Sequence, residues 1–505
     1  MKKWYVIPLA LVLLFSTIPT TADDSNHTKK TTQNSKENEE FKLGVDVLLE
    51  ENLDKLENKN VGLITNPTGV DQDLNSIIDV LYDNDDVNLV TLFGPEHGVR
   101  GEAQAGEGVD HYEDEITGLP VYSLYGDTRK PTPEMLEDVD LLLFDIQDVG
   151  TRYYTYIYTM AYAMEAAGEN DIEFMVLDRP NPIGGYDVQG PVLDPDYSSF
   201  VGLYPIPLRH GMTVGELAEF FNSEFDLGAS LTVIKMKGWK RSMDYDDTPL
   251  HWVLPSPNMP TLDTAFVYPG AALIEGTNVS EGRGTAKPFE LIGAPFINAN
   301  DLADKLNDAK LPGVIFRAAY FTPTFSKHEG ELSGGIQIHV NDRESYQPIK
   351  TGITIVKAIH DMYPEDFEFL DDNFDRLIGN SWVREKIEQG ESVDEIINKW
   401  EKELQDFKTL RRDYLLYTIS TADIEAHLSQ LAEDGEIKNT EALHDLEIHL
   451  TAVRHYEEER SFDKAIKHMK NFKMLLDHQK ENGQISDKAY QTLMDDTESM
   501  IKQWD

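Results

Sequence analysis

Val139-Asp140-Leu141-Leu142-Leu143-Phe144-Asp145-Ile146-Gln147-Asp148-Val149-Gly150-Thr151-Arg152-Tyr153-Tyr154 decides the fold. Its first six residues are almost wholly apolar, without the alternation of a half-exposed strand. Such a run fits a strand buried on both faces, as in a parallel sheet covered by helices. The polar, acid-bearing segment that follows then leads into a helix-like stretch, Thr155–Ala167. The same grammar recurs along the chain. Val61–Thr65 runs into Asn66-Pro67-Thr68-Gly69, Val87–Phe93 into Gly94-Pro95-Glu96-His97-Gly98, and Phe174–Leu177 into Asp178-Arg179-Pro180-Asn181-Pro182. Further apolar runs lie at Leu231–Met236, Gly313–Tyr320 and Gly335–Val340. Strands alternating with helices predict an α/β fold of βαβ units. Four strand ends would converge where open parallel sheets place their ligand crevice.

The chain divides into five expected parts. Lys2 and Lys3, the apolar run Val6–Phe15 and the small polar stretch to Ala22 read as a signal peptide over residues 1–22. Residues 23–40 are polar and read as a disordered spacer. A Rossmann-like, mostly parallel domain is expected over 41–295 and a smaller α/β domain over 296–417. From 421 to 505 the apolar spacing is helical throughout, with Leu446, Leu450 and Val453, then Ile466, Met469, Phe472 and Leu476. This predicts an all-α bundle of three or four helices, with Gly435 and Gly483 as breaks and Ser486 capping the last. The chain is therefore expected to be secreted, extracellular or associated with the cell wall.

Composition excludes several chemistries. Lys and Arg number 45 against 91 Asp and Glu, a net charge of −46, which repels phosphate backbones and anionic membranes. With no cysteine there is no thiol nucleophile, disulfide, Cys-ligated metal or acylated cysteine anchor. Asn66-Pro67-Thr68-Gly69 does not match the glycine pattern of dinucleotide binding, and no H-E-x-x-H or G-x-S-x-G occurs. No cofactor and no metal are expected.

Glu96 is the sharpest local feature. It stands between a strand end and glycines that let a ligand approach the backbone. Its apolar neighbours Phe93 and Pro95 suit a general acid; the alternative is a structural carboxylate paired with Arg100 or Arg152. Four tyrosines crowd Arg152–Tyr158, offering flat faces to a sugar. The loop Gly276-Thr277-Asn278-Val279-Ser280-Glu281-Gly282-Arg283-Gly284-Thr285 is too polar for a core and too rich in small residues for a plain linker. Leu254–Pro260 is a rigid, proline-rich crevice wall.

Taken together, Gly94–Gly98, Asp145–Tyr154, Asp178–Pro182, Pro255-Ser256-Pro257-Asn258 and the G-T-N-x-S-x-G-R-G-T loop resemble the NamZ-type exo-β-N-acetylmuramidases of peptidoglycan recycling. The resemblance runs from about Phe41 to Tyr417. It implies a glycosidase that releases terminal β-1,4-linked N-acetylmuramic acid from the non-reducing end of peptidoglycan chains or fragments, and places the family's catalytic glutamate on Glu96. The helical tail resembles the FIMAH domain of secreted enzymes and implies wall association. The catalytic candidates are Glu96, His97, Asp145 and Tyr154. The substrate-binding candidates are Asn66, Arg100, Arg152, Tyr153, Asp178, Arg179, Asn181, Asn258, Asn278, Glu281 and Arg283. Asp145, Asp148 or Glu281 is expected as a second carboxylate, unless the substrate's own 2-acetamido group takes that role. Arg152, Arg179 or Arg283 is expected to bind the lactyl carboxylate. The rival readings are an exo-hydrolase of another wall bond, such as that of N-acetylglucosamine, and a wall-binding protein without turnover.

Overall fold

The structure, a computed structural model, describes residues 40–101 and 111–504. The expected signal peptide, and all of the spacer but Glu40, lie outside the described residues. All seven expected strands form. They are β1 (Asn60–Thr65), β2 (Asn88–Gly94), β5 (Leu141–Asp145), β6 (Glu173–Leu177), β9 (Ser230–Ile234), β11 (Val314–Phe321) and β12 (Ser333–Val340). Five more are shorter: β3 (Tyr112–Glu113), β4 (Pro120–Ser123), β7 (Gln189–Val192), β8 (Pro207–Arg209) and β10 (Leu291–Ala294).

The main sheet has seven strands in the order β3-β4-β2-β1-β5-β6-β9. Every pairing is parallel except that of β3 with β4. The strands are apolar on both faces because both are covered. One face packs on a large core with the helices Tyr156–Glu169 and Val214–Glu224, the other on a smaller core with Gly44–Glu51 and Ile77–Tyr82. Parallel register sets Thr65 beside Asp145, so the loops after β1 and β5 emerge together. The loop after β2 leaves beside them, since β2 pairs with β1.

The second sheet has three antiparallel strands, ordered β10-β12-β11. Its first strand begins at Leu291, and the helix Leu262–Ala271 packs on Pro348–Met362 below it. A two-stranded ribbon joins β7 and β8.

The tail is a bundle of four helices, Thr421–Glu433, Thr440–Glu458, Phe462–Glu481 and Asp487–Trp504, around its own apolar core. Ile424, Leu446, Val453, Met469, Phe472 and Leu493 are fully enclosed. Ser486 Oγ accepts from Ala489 N at 3.0 Å, capping the last helix. The bundle is tied to the preceding α/β body at its final turn. Ile419 N donates to Gln503 Oε1 at 3.0 Å, and Arg412 donates to Trp504 O.

Candidate active site

Glu96 occupies a tight turn at the end of β2, closed by Gly98 N donating to Pro95 O at 3.0 Å. His97, buried beside it, has φ of 78°, a left-handed conformation that side chains rarely adopt. The turn packs closely on Gly94, where a Cβ would lie 3.2 Å from Gly98 Cα and Val99 N. The Glu96 side chain is half-buried. Thr155 Oγ1 lies 3.4 Å from its Oε2, and the Tyr125 phenol hydrogen-bonds the same carboxylate. Burial, with the Glu96 charge and that bond behind it, pushes Tyr125 up to about 12. Tyr125 therefore stays a proton donor to Glu96 at any physiological pH.

A group of aromatic rings backs this carboxylate. Tyr154 packs edge-on against Tyr156 at 5.0 Å and against Tyr268 at 5.9 Å. Burial holds the Tyr154 and Tyr268 hydroxyls well above the ordinary phenol value, and the charges of Glu96 and Asp148 add to it. Tyr156 donates to Pro255 O, which anchors the proline-rich turn bearing Asn258 to the same cluster.

Asp148 is the second carboxylate here. It is 4% exposed; its Oδ2 accepts from Gly150 N at 2.7 Å and lies 3.6 Å from His210 Nε2. His210 Nδ1 accepts from Met212 N, so its Nε2 carries the proton that faces Asp148. Asn66 joins the group: its Oδ1 takes Thr68 N and Oγ1, and Thr68 Oγ1 in turn takes Gln147 N at 2.9 Å.

Several expected site residues serve the scaffold instead. Asp145, fully buried, forms a bidentate pair with Arg179 at 2.6 and 2.8 Å, and Arg179 also donates to Val70 O. Neither is presented to a ligand; together they clamp the loops after β1, β5 and β6. Arg152 is fully enclosed and donates to Pro191 O, Ile206 O and Leu377 O. It binds carbonyls of two lobes, not a carboxylate, so neither Arg152 nor Arg179 meets the lactyl group. Asp178 is likewise sealed in, accepting from Thr213 Oγ1, Gly215 N and the Tyr417 hydroxyl. Asn181 ties Met212 O to Ile183 N. Arg100 pairs with Asp114 and Asp79 on the flank of the sheet. Tyr153 donates to Pro269 O at 2.5 Å, and Asn278 bridges Asp366 O and Glu368 N.

In the glycine-rich loop, Glu281 is buried between Arg283 at 3.3 Å and Lys327 at 3.1 Å. Arg283 also reaches Glu275 and lies over the Phe289 ring. Its charge acts on both Tyr268 and Tyr125, which sets it at the rim of the Glu96 cluster.

Four residues of this site were missed in the sequence: Tyr125, Arg129, His210 and Tyr268. Arg129 is exposed, stacks on Phe200 at 4.4 Å and acts on Tyr125, with no carboxylate partner among the described residues. Tyr125 and Arg129 follow β4, the one strand of this sheet edge that opens on a proline; recognising Pro120–Ser123 as a strand would have marked its carboxyl end.

Comparisons with known proteins agree with this layout. Residues 61–263 match the family described as exo-beta-N-acetylmuramidase NamZ, N-terminal, and residues 266–417 its C-terminal counterpart. Residues 421–502 match the FIMAH domain. The peptidoglycan beta-N-acetylmuramidase NamZ of Bacillus subtilis (strain 168) is 60% identical over 418 residues, covering 83% of this chain and all of that one. A crystal structure of a DUF1343 family protein from Bacteroides fragilis NCTC 9343 superposes with a TM-score of 0.71 at 45% identity, over 75% of this chain and 99% of that one. A second such protein from the same organism gives 0.63 at 33% identity, over 75% of this chain and its own full length.

Proposed function

The chain belongs to the NamZ family of exo-β-N-acetylmuramidases, and on that premise we propose that Glu96 is the general acid of its reaction. The enzyme is a glycosidase that removes terminal, non-reducing β-1,4-linked N-acetylmuramic acid from peptidoglycan chains or fragments. One observation carries the assignment. Among the strand-end carboxylates, Asp145 and Asp178 are sealed into structural bonds, whereas Glu96 is half-open and held by a phenol and a hydroxyl. Donors of that kind orient a carboxyl group toward the oxygen of a departing sugar.

Arg129 and Arg283 both act on Tyr125, the phenol bonded to Glu96, and are the cations offered to the lactyl carboxylate that separates muramic acid from glucosamine. Arg283 already shares its charge with Glu275 and Glu281, so Arg129 is the stronger ligand. The aromatic cluster supplies the sugar platform, and Asn258 the adjoining polar contact. Lys2, Lys3 and the apolar run behind them support export, and the FIMAH module supports residence at the wall.

The direct test is product analysis. Incubated with a muramic-acid-terminated glycan, the protein releases free N-acetylmuramic acid, one residue per chain end. Release of larger fragments, or of N-acetylglucosamine first, would contradict the proposal.

A further inference from the structure

Several buried polar atoms at the carboxyl ends of β1 and β5 complete no hydrogen bond among the described residues, Gln147 Oε1 and Thr151 Oγ1 among them; the ones that adjoin the tyrosine cluster are Asn66 Nδ2, Asp148 Oδ1 and the Tyr154 hydroxyl. An unpaired buried polar group is costly, so proteins seldom keep several together without use. These three are neighbours. The Tyr156 oxygen lies beside both the Asn66 amide and the Tyr154 hydroxyl. The Asn66–Thr68–Gln147 chain of hydrogen bonds ends on the residue that precedes Asp148. The Asp148 charge is felt at Tyr154, Tyr156 and Tyr268.

The arrangement of Asp148 is one-sided. Gly150 N holds Oδ2, His210 Nε2 stands 3.6 Å from it, and Oδ1 is left over. The set is thus one fixed acceptor beside two donors. A secondary amide is the complement: one N–H to give and one carbonyl to receive. The muramic acid substrate carries such an amide at C2, next to the carbon where its glycosidic bond breaks.

We infer that Asp148 receives the N–H of the substrate's 2-acetamido group while Tyr154 donates to its carbonyl, so that this carbonyl is the nucleophile acting with Glu96. The inference rests on the muramidase reading above. Asn66 Nδ2 is a second donor to the carbonyl before attack. In the first step the carbonyl oxygen bonds to C1. The C1–O bond to the departing sugar breaks with its electron pair, and that oxygen takes the Glu96 proton. The resulting oxazolinium ring keeps its N–H on Asp148. In the second step water gives a proton to the Glu96 carboxylate and adds to C1, and the ring reopens to the acetamide. The two halves of the water end on the leaving sugar and on C1, and two inversions leave the β configuration. No protein nucleophile is needed, which fits the engagement of Asp145 with Arg179 and of Glu281 with Arg283 and Lys327.

The test uses the wild-type chain and four aryl β-muramides that differ only in their N-acyl group: acetyl, fluoroacetyl, difluoroacetyl and trifluoroacetyl. Each fluorine withdraws electrons from the attacking carbonyl, so kcat/KM falls stepwise along the series. A flat series, with the acetyl parent turned over, overturns the inference and leaves the muramidase reading standing. No turnover of the parent overturns that reading and the inference with it. Asp148→Asn gives the second readout: it loses about 10²–10³-fold in kcat, the scale of one misplaced transition-state contact. Its affinity for a muramic thiazoline, a stable mimic of the ring, falls at least as steeply as that, while its affinity for free N-acetylmuramic acid changes little. Equal loss for both ligands contradicts the assignment.

Discussion

Arg152 offers a sharp separation of scaffold from site. Its guanidinium is fully enclosed and donates to three carbonyls, two from the ribbon (Pro191 and Ile206) and one from the second lobe (Leu377). Burial pulls it down to about 10, still cationic at neutral pH. Arg152→Met keeps most of the volume and removes all three bonds. Each stranded carbonyl costs about 1 kcal/mol at the low end of the range, and relief from burying the charge offsets part, leaving a net loss of about 2–3 kcal/mol. For a unit of nearly 400 residues, with an unfolding entropy of about 2.1 cal/mol/K per residue, that lowers the melting midpoint by about 3–4 °C. Differential scanning calorimetry reads the midpoint, and muramide kinetics well below it read the site. The expected outcome is a lower midpoint with KM within about twofold of wild type, since nothing that touches the substrate has moved. A wild-type midpoint with a large rise in KM would refute the reasoning and return Arg152 to the substrate.

Other perturbations have equally definite outcomes. Arg129→Ala raises KM for a β-muramide by about tenfold, the scale of one charged hydrogen bond, and leaves a matched β-glucosaminide unaffected; parallel kinetics on the two substrates check it. Burial pushes the Asp178 carboxyl up to about 6, against the Tyr417, Gly215 and Thr213 donors. Its unfolded value is about 3.9, so the folded state binds the extra proton between those values. Its stabilisation is full below pH ~4 and lost as pH rises through about 6. Melting curves of Asp178→Asn and wild type across that window should differ in their pH dependence, the wild type alone losing stability as pH rises through about 6. Removing residues 419–505 should leave turnover of small muramides intact and reduce co-sedimentation with insoluble peptidoglycan; unchanged sedimentation would free the tail of that role.

The sheet was legible because its strands are apolar on both faces. Val61–Thr65, Val139–Phe144 and Phe174–Leu177 could hardly be anything else once turn-forming acids closed each run. β4, β7 and β8 escaped for the converse reason: they are three or four residues long and carry Pro120, Pro191 and Pro207, which break the pattern. The tail was legible from its period, and Ser486 from capping chemistry.

The site was legible by place but not by side-chain direction. Glu96, Tyr154 and Asn66 meet where strand-end logic puts them. Arg152, Asp178 and Arg179 share those loops, yet face inward to carbonyls and to one another. A one-dimensional string marks a charged residue at a strand end; it does not say whether the charge ties the loop down or meets a ligand. Asp148 and Asp145 show this most plainly. Three residues apart, one is sealed against an arginine and the other keeps an oxygen unpaired. His210 and Tyr268 reach the cluster from distant segments that carry no local signal.

The central claim is that Glu96 supplies the proton for release of muramic acid. Steady-state turnover of a chromogenic β-N-acetylmuramide and of the matching β-N-acetylglucosaminide, by wild type and Glu96→Gln, tests it most directly. The account predicts release from the muramide, little from the glucosaminide, and a loss of about 10²–10⁴-fold in the variant, the contribution of a general acid. Turnover by Glu96→Gln equal to wild type would contradict it.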